Sequence, residues 1–272
     1  MFFKKKSLGQ HFLRGKVLAE KIVKELAIEP GDVVVEIGPG EGILTDIILA
    51  QFPNGEISFF VIEKDGRLIA QLKQKSSAPW YHVYHEDVLA FLMGNCCPRG
   101  KKMKVIGNIP YYITSDIIFK LIEDRRYISH IVLTVQYEYA ERLFAQPRTK
   151  AYGRLTVMVQ TFCIVKKCFK ISRLAFQPIP NVDSAVVRLT FREMTENRRA
   201  IAYRQAVYEQ MVKYAFSQRR KTLANNLKPL LTTAERKQIF ESFLGKYGFP
   251  EFVRAEELSA EQFVDLCVHI MQ

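Results

Sequence analysis

Asp32-Val-Val-Val-Glu-Ile37, running into Gly38-Pro-Gly40-Glu-Gly42, is the stretch that decides the fold. A β-branched run breaks into closely spaced glycines. Apolar residues then recur at Ile43, Leu44, Ile47 and Ile48, which is helical spacing. The pattern is strand, glycine turn, helix. The alternation continues outward. A strand from Ile57 to Ile62 ends at Glu63, and helical spacing resumes at Leu68, Ile69 and Leu72. A third strand around Tyr81 to Tyr84 reaches Asp87, and a fourth opens at Lys104 and ends at Asn108. A fifth, Ile128 to Val135, precedes a helix carrying Tyr139, Leu143 and Phe144. Strands alternating with helices predict βαβ units and a mostly parallel sheet. Two later strands, Thr161 to Ile171 and Ser184 to Phe191, are linked through Pro178 and Pro180 without a helical pattern. They are expected to be hairpin-like and antiparallel, as in many mixed sheets.

From about Glu193 the β-branched runs vanish. Apolar residues fall at Val207, Met211, Tyr214 and Ala215, then at Leu223 and Leu227, at helix spacing. Thr232 to Phe243 and Ser259 to Met271 read as further helices, the second opened by a capping box of Ser259 and Gln262. The expectation is an α/β domain over residues 1–192 and a small all-helical domain over 193–272.

The 272 residues are 48% hydrophobic and 25% charged, the balance of an ordinary globular protein. No apolar run is long enough for a membrane span, and Met1-Phe-Phe-Lys-Lys-Lys6 has no apolar run behind it of the secretory kind. The five cysteines form no CxxC pair and the five histidines no HxxxH pattern, so a reducing, cytoplasmic, metal-free protein is expected. The charge is less ordinary. Forty Lys and Arg against 28 Asp and Glu give +12, which points to an anionic partner, either nucleic acid or a membrane surface. Nothing in the pattern resembles an amphipathic membrane anchor.

In doubly wound sheets ligands bind beyond the carboxyl ends of the strands, near the switch point. The glycine turn with Gly38 and Gly40 allows a ligand close to bare backbone. Glu63, at the end of the second strand, can accept hydrogen bonds from both hydroxyls of a ribose. Asp87, at the end of the third, can accept from an adenine amino group. Gly turn and Glu63 alone fit a nicotinamide dinucleotide nearly as well as S-adenosylmethionine. The spacing is GxGxG rather than the pyrophosphate fingerprint GxGxxG.

Gly107-Asn108-Ile109-Pro110-Tyr111, at the end of the fourth strand, is the candidate reaction site. An exocyclic adenine amine is a poor nucleophile because its lone pair is delocalised into the ring. The Asn108 side-chain oxygen and the Ile109 carbonyl can accept its two N–H groups and favour a pyramidal nitrogen. Pro110 stiffens the chain. Tyr111 offers a ring for a base to stack on, worth ~1–3 kcal/mol.

Asn-Ile-Pro-Tyr is similar to the amino-methyltransferase signature, and the whole chain resembles the KsgA family of ribosomal RNA adenine N6,N6-dimethyltransferases. The resemblance rests on Ser7-Leu-Gly-Gln-His-Phe-Leu13, Glu36-Ile-Gly-Pro-Gly40, Val61-Ile-Glu63, Asn108-Ile-Pro-Tyr-Tyr112, Phe176-Gln-Pro-Ile-Pro-Asn-Val-Asp-Ser184 and Ala215-Phe-Ser-Gln-Arg-Arg-Lys-Thr-Leu223, in that order. It implies a Rossmann-like class I S-adenosylmethionine-dependent methyltransferase domain with a C-terminal helical RNA-binding domain. It further implies that His11 and Leu13 contact the methionine part of the donor, Gly38 its loop, Glu63 the ribose, Asp87 the adenine and Asn108 the transfer site. Phe176 would stack on the target adenine opposite Tyr111. S-adenosylhomocysteine would be the product, with no metal. Family members often carry asparagine where this chain has Tyr112, so the role of that position is open.

Phe216 to Leu223 is more similar to small-subunit enzymes than to the large-subunit resistance type. The resemblance therefore implies two adjacent adenosines in a hairpin near the 3′ end of small-subunit rRNA, each dimethylated, in the immature small ribosomal subunit; a monomer is the separate expectation. The competing expectations are an assembly or transcription factor without the chemistry, a large-subunit enzyme and a DNA adenine methyltransferase. From Arg198 to Lys228 eight cations face Glu209 alone, a net +7 of the chain's +12. With Lys4, Lys5 and Lys6 at the start of the chain, and Arg219, Arg220 and Lys221 within this segment, it is the expected RNA phosphate track. A merely solvated surface is the alternative.

Overall fold

The computed structural model describes residues 11–98 and 100–270. Lys4, Lys5 and Lys6, Ser7 to Gln10, and Met271 at the end of the last expected helix lie outside them. In chain order the elements begin with β1 (Phe12–Leu13), α1 (Lys16–Glu25), β2 (Val33–Ile37), α2 (Ile43–Gln51), β3 (Ser58–Glu63), α3 (Gly66–Gln74) and β4 (Tyr81–His85). There follow β5 (Met103–Asn108), α4 (Thr114–Glu123), β6 (Ile128–Gln136), α5 (Tyr137–Leu143), α6 (Arg154–Phe162), β7 (Cys163–Ile171), β8 (Phe176–Gln177) and β9 (Ser184–Phe191). The chain finishes with α7 (Glu196–Tyr203), α8 (Gln205–Ala215), α9 (Leu223–Leu227), α10 (Ala234–Tyr247) and α11 (Ala260–Ile270).

The main sheet has the order β4-β3-β2-β5-β6-β9-β7. β2 to β6 are parallel to one another where they pair, and β9 runs antiparallel to β6. β2 sits in the interior, and all five of its residues are buried, which is why it reads as an unbroken β-branched run. A separate two-stranded pairing joins β1 to β8, with Leu13 opposite Phe176. It gives the segment after His11 a fixed place beside the sheet.

The chain forms two compact units, residues 1–140 with 165–191, and residues 141–164 with 192–272. One boundary near residue 192 was expected; the helical unit instead also takes in 141–164. The reason is α6. Seven of its nine residues are buried, and it packs on α8 and α11. Its sequence, Arg-Leu-Thr-Val-Met-Val-Gln-Thr-Phe, is rich in β-branched residues, and Thr161 belongs to it rather than to the following strand. The Thr161 hydroxyl donates back to the Val157 carbonyl at 2.8 Å, the i−4 bond of a helix.

Within the helical unit Tyr208 is wholly buried, its hydroxyl 2.6 Å from that of Thr161. The inward face of α8 is Tyr208, Met211, Val212 and Ala215, one step round from the face expected through Val207, which is 47% exposed. Thr195, Thr222 and Thr233 cap α7, α9 and α10. The Ser259–Gln262 capping box forms as read, with bonds of 2.8 and 3.3 Å.

Candidate active site

Strand register assembles the site. Ile37 of β2 stands opposite Ile62 of β3 and Gly107 of β5. The next residues along the three strands are therefore Gly38, Glu63 and Asn108, in one row at the carboxyl edge. That row lies where the chain order changes sides of β2, the place where open α/β sheets bind ligands. Glu63 stands opposite His85 of β4, so Asp87 follows two residues beyond the same edge.

Two glycines are required by close approach. Gly40 has φ +60°, and a Cβ there would lie 2.7 Å from the Phe12 ring. A Cβ on Gly107 would lie 2.7 Å from the Ile37 carbonyl oxygen, a backbone atom that cannot swing aside.

The row faces a cavity of about 380 Å³. His11, Leu13, Gly38, Gly40, Glu63, Asn108, Ile109, Pro110 and Tyr111, which the sequence analysis singled out, all line it. A smaller cavity of about 60 Å³ shares Gly38, Glu63 and Pro110 with it, and there Asp87 and Tyr112 are found.

Asn108, His11 and Tyr111 form one cluster. The Asn108 amide nitrogen donates to the His11 carbonyl at 2.9 Å. A carbonyl only accepts, so the amide orientation is fixed and Oδ1 is the atom left to accept from elsewhere. His11 Nδ1 donates to the Pro178 carbonyl at 2.8 Å, and the imidazole lies against the Tyr111 ring, centroids 5.4 Å apart. The Tyr111 hydroxyl is 2.7 Å from that of Ser184. Burial raises the Tyr111 phenol's pKa.

Glu63 is 5% exposed. Its Oε2 accepts from the Gly40 N–H at 3.1 Å and its Oε1 from the Asp65 N–H at 2.7 Å. Burial raises its pKa, and those two bonds oppose the shift. Asp87 is held below the ordinary carboxylate range by the ammonium of Lys64, 2.6 Å away. Tyr112, the position left open, is 59% exposed at the smaller cavity, alongside Lys64 and Asp87.

Sequence reading missed Glu36. It lies in the middle of buried β2, is 1% exposed, lines the larger cavity and accepts from the Thr45 hydroxyl at 2.6 Å. Burial pushes its pKa up to about 8. Its signal was present, a carboxylate interrupting a run of β-branched core residues. Lys75 and Asp46, paired at 2.7 Å in the same cavity, come from separate helices and carried no such signal.

The charge of the lining favours one of the ligands left open above. Glu36, Glu41, Asp46 and Glu63 face the cavity against Lys75. A pyrophosphate would bring its negative charge against Glu41, Asp46 and Glu63 and beside the buried acid Glu36, with Lys75 alone to offset it. A sulfonium and an ammonium, as on S-adenosylmethionine, complement them.

Three expectations need adjustment. Phe176 is 1% exposed, packed in the core opposite Leu13, and lines neither cavity. Arg198, counted in the basic track, turns inward at 8% exposure; its guanidinium donates to the Thr161 and Glu193 carbonyls and to Glu261. Arg219, exposed like Arg220 and Lys221, is paired with Glu256 at 2.7 Å and donates to the Lys150 carbonyl at 2.9 Å. Among the described residues, no group of three His, Cys, Asp or Glu could hold a metal ion, and no helix is long and apolar enough to cross a membrane.

The ribosomal RNA adenine dimethylase family model matches residues 1–270. The chain belongs to that family. It is 43% identical over 244 residues to the ribosomal RNA small subunit methyltransferase A of Prosthecochloris aestuarii, covering 88% of this chain and 89% of that one. The protein of the same name from Mycoplasma mobile is 40% identical over 237 residues, covering 87% and 88%. Among solved structures, a dimethyladenosine transferase from Plasmodium falciparum superposes with a TM-score of 0.74 at 26% identity, covering 94% of this chain and 96% of that one. The 23S rRNA methyltransferase ErmE superposes at 0.69 with 28% identity, covering 96% and 100%. This dimethylase thus has the class I methyltransferase fold and belongs to the transferases that the sequence pointed to.

Proposed function

We propose that this dimethylase places two methyl groups on N6 of each of two adjacent adenosines in a hairpin near the 3′ end of small-subunit rRNA. It acts as a cytoplasmic monomer on the immature small subunit and contributes to its biogenesis. The observation that carries the proposal is the Asn108 amide, locked by the His11 carbonyl so that Oδ1 is free to accept beside an acid-lined cavity.

S-adenosylmethionine, when bound, supplies a methyl group on a sulfonium and leaves as S-adenosylhomocysteine. His11 and Leu13, with Glu36 in the same lining, would hold its methionine part, and the Gly38–Gly40 turn would admit it close to backbone. Each Glu63 oxygen already accepts one N–H and keeps a lone pair for a ribose hydroxyl. Asp87, with Oδ1 and Oδ2 engaged by the Leu89 N–H and by Lys64, accepts an adenine amino group through its remaining lone pairs.

On the substrate side, Asn108 Oδ1 and the Ile109 carbonyl accept the two N–H bonds of the target amine. That pulls the nitrogen from planar toward pyramidal and frees its lone pair. Pro110, at φ −60°, keeps the preceding carbonyl aimed. The Tyr111 ring, pinned at its hydroxyl by Ser184, receives the base once it has left its own stack. Phe176 joins that sandwich only by leaving the core beside Leu13, so Tyr111 carries the stacking here. The amine proton departs to water, and no side-chain base is needed. Arg220 and Lys221 in the helical unit meet RNA phosphates.

Mass spectrometry of digested rRNA tests this, after unmodified small subunits are incubated with protein and donor. Two adjacent N6,N6-dimethyladenosines and four donors consumed per RNA are expected. Binding to small subunits with no methylation would make the protein an assembly factor. Methylation of large-subunit RNA alone would move it to the resistance type.

A further inference from the structure

We infer that the helical unit carries a pocket for one unpaired RNA nucleotide, with Phe252 as the stacking face for the base and Arg220 and Arg254 as the phosphate clamp. The inference rests on the proposal above that the protein acts on RNA, and it assigns a site separate from the methyl-transfer cavity. The pocket has a volume of about 440 Å³.

Local structure explains why these groups converge. The Leu223 N–H, at the start of α9, donates to the Val253 carbonyl at 2.7 Å, and Val253 is fully buried. Anchoring Val253 inward turns its neighbour outward, and Phe252 is 74% exposed. Arg148 closes another side. It has φ +68°, a left-handed conformation that a non-glycine residue adopts only when held, and its N–H donates to the Glu256 carbonyl at 2.7 Å.

The charge balance favours an anion. The pocket holds two carboxylates, and both are engaged: Glu256 by Arg219 at 2.7 Å and Glu257 by Arg148 at 3.4 Å. Among the described residues, neither the Arg220 nor the Arg254 guanidinium has a carboxylate partner. Two uncompensated guanidiniums offer the bidentate donors that a phosphodiester accepts. The Thr222 oxygen accepts from the Asn225 N–H at 3.3 Å, so its hydroxyl proton is still available to a phosphate or ribose oxygen. An exposed aromatic ring beside unpaired arginines combines stacking with charge, as single-stranded nucleic acid requires. A bare phosphate would use the arginines and leave Phe252 without a role. An acidic peptide would use them in the same way.

The test is binding of a fluorescent oligouridylate to the full chain at several salt concentrations, for wild type, Phe252→Ala, Phe252→Trp and the double variant Arg220→Ala/Arg254→Ala. Phe252→Ala is expected to weaken binding about 10- to 100-fold with an unchanged salt slope, and Phe252→Trp to restore it. The double variant is expected to flatten the slope of log affinity against log salt by about 0.7 for each phosphate no longer neutralised. Ultraviolet crosslinking should attach uridine to the peptide containing Phe252. Wild-type affinity in Phe252→Ala, with the double variant weakened, would reduce the pocket to a phosphate-binding surface and overturn the inference. Wild-type affinity in both would place the RNA elsewhere, again overturning it. In either case dimethylation of small subunits by the wild type would leave the proposed function standing. Failure of that dimethylation, with oligouridylate still bound through Phe252, would do the reverse.

Discussion

Replacing Glu36 by Gln should stabilise the ligand-free protein, and by an amount that grows with pH. The Glu36 carboxyl is 1% exposed and its pKa is pushed up to about 8 by burial, against 4.5 in an open chain. A carboxyl whose folded pKa is raised contributes its full stability below the unfolded pKa. That contribution is lost as pH climbs toward the folded value, because the unfolded chain ionises freely while the folded one must stay protonated. At pH 4.5 and below, the neutral acid and the amide should be nearly equivalent, since either accepts the Thr45 hydroxyl. By pH 7 the wild type has forgone about 2.5 pH units of ionisation, or about 3 kcal/mol at 1.36 kcal/mol per unit. Above pH 8 the difference levels off near about 5 kcal/mol. Urea unfolding followed by Trp80 fluorescence is the right assay. Trp80 is the chain's single tryptophan and lies in the same unit as Glu36. A stability difference that stays flat from pH 4.5 to 8 would refute the buried, protonated Glu36. The cavity gives a second readout. A cation bound beside Glu36 favours its ionised form, so donor binding at pH 7 should release close to one proton in the wild type and none in Glu36→Gln. Calorimetry in buffers of differing ionisation enthalpy measures it.

Asn108→Ala should keep RNA affinity within a few-fold while single-turnover methylation falls by orders of magnitude, because the acceptor acts most strongly as the amine changes shape. Near-normal turnover would remove Oδ1 from the mechanism. Glu63→Ala should weaken S-adenosylmethionine binding by ~1.5–3 kcal/mol, the range for a hydrogen bond to a charged group, as read by titration calorimetry. Unchanged affinity would mean that the ribose lies elsewhere. Arg198→Ala should destabilise the helical unit by ~1–3 kcal/mol, through the unpaired carbonyls of Thr161 and Glu193, and leave the salt slope of RNA binding unchanged. A flatter slope in a fully folded variant would return Arg198 to the phosphate track.

The residues around Gly38, Glu63, Asp87 and Asn108 were legible in the sequence because each ends a strand, and strand ends are written in local patterns of β-branched residues, glycine and acids. Parallel pairing then puts those ends at one edge, so a one-dimensional order became a site without knowledge of side-chain contacts. The capping box at Ser259 was legible for the same reason, since both partners lie within one turn. Tertiary structure decided what depended on distant partners. Thr161 reads as strand in a β-branched run, yet burial of α6 against α8 and α11 makes it helix. Arg198 and Arg220 look alike in a basic segment. Only packing turns one inward onto two carbonyls and Glu261 and leaves the other exposed at a pocket. The orientation of Asn108 rests on a carbonyl 97 residues away in sequence, and the raised pKa of Glu36 on the layers that cover β2. Burial and long-range hydrogen bonding are properties of the folded surroundings, and a residue's own neighbours in the chain do not carry them.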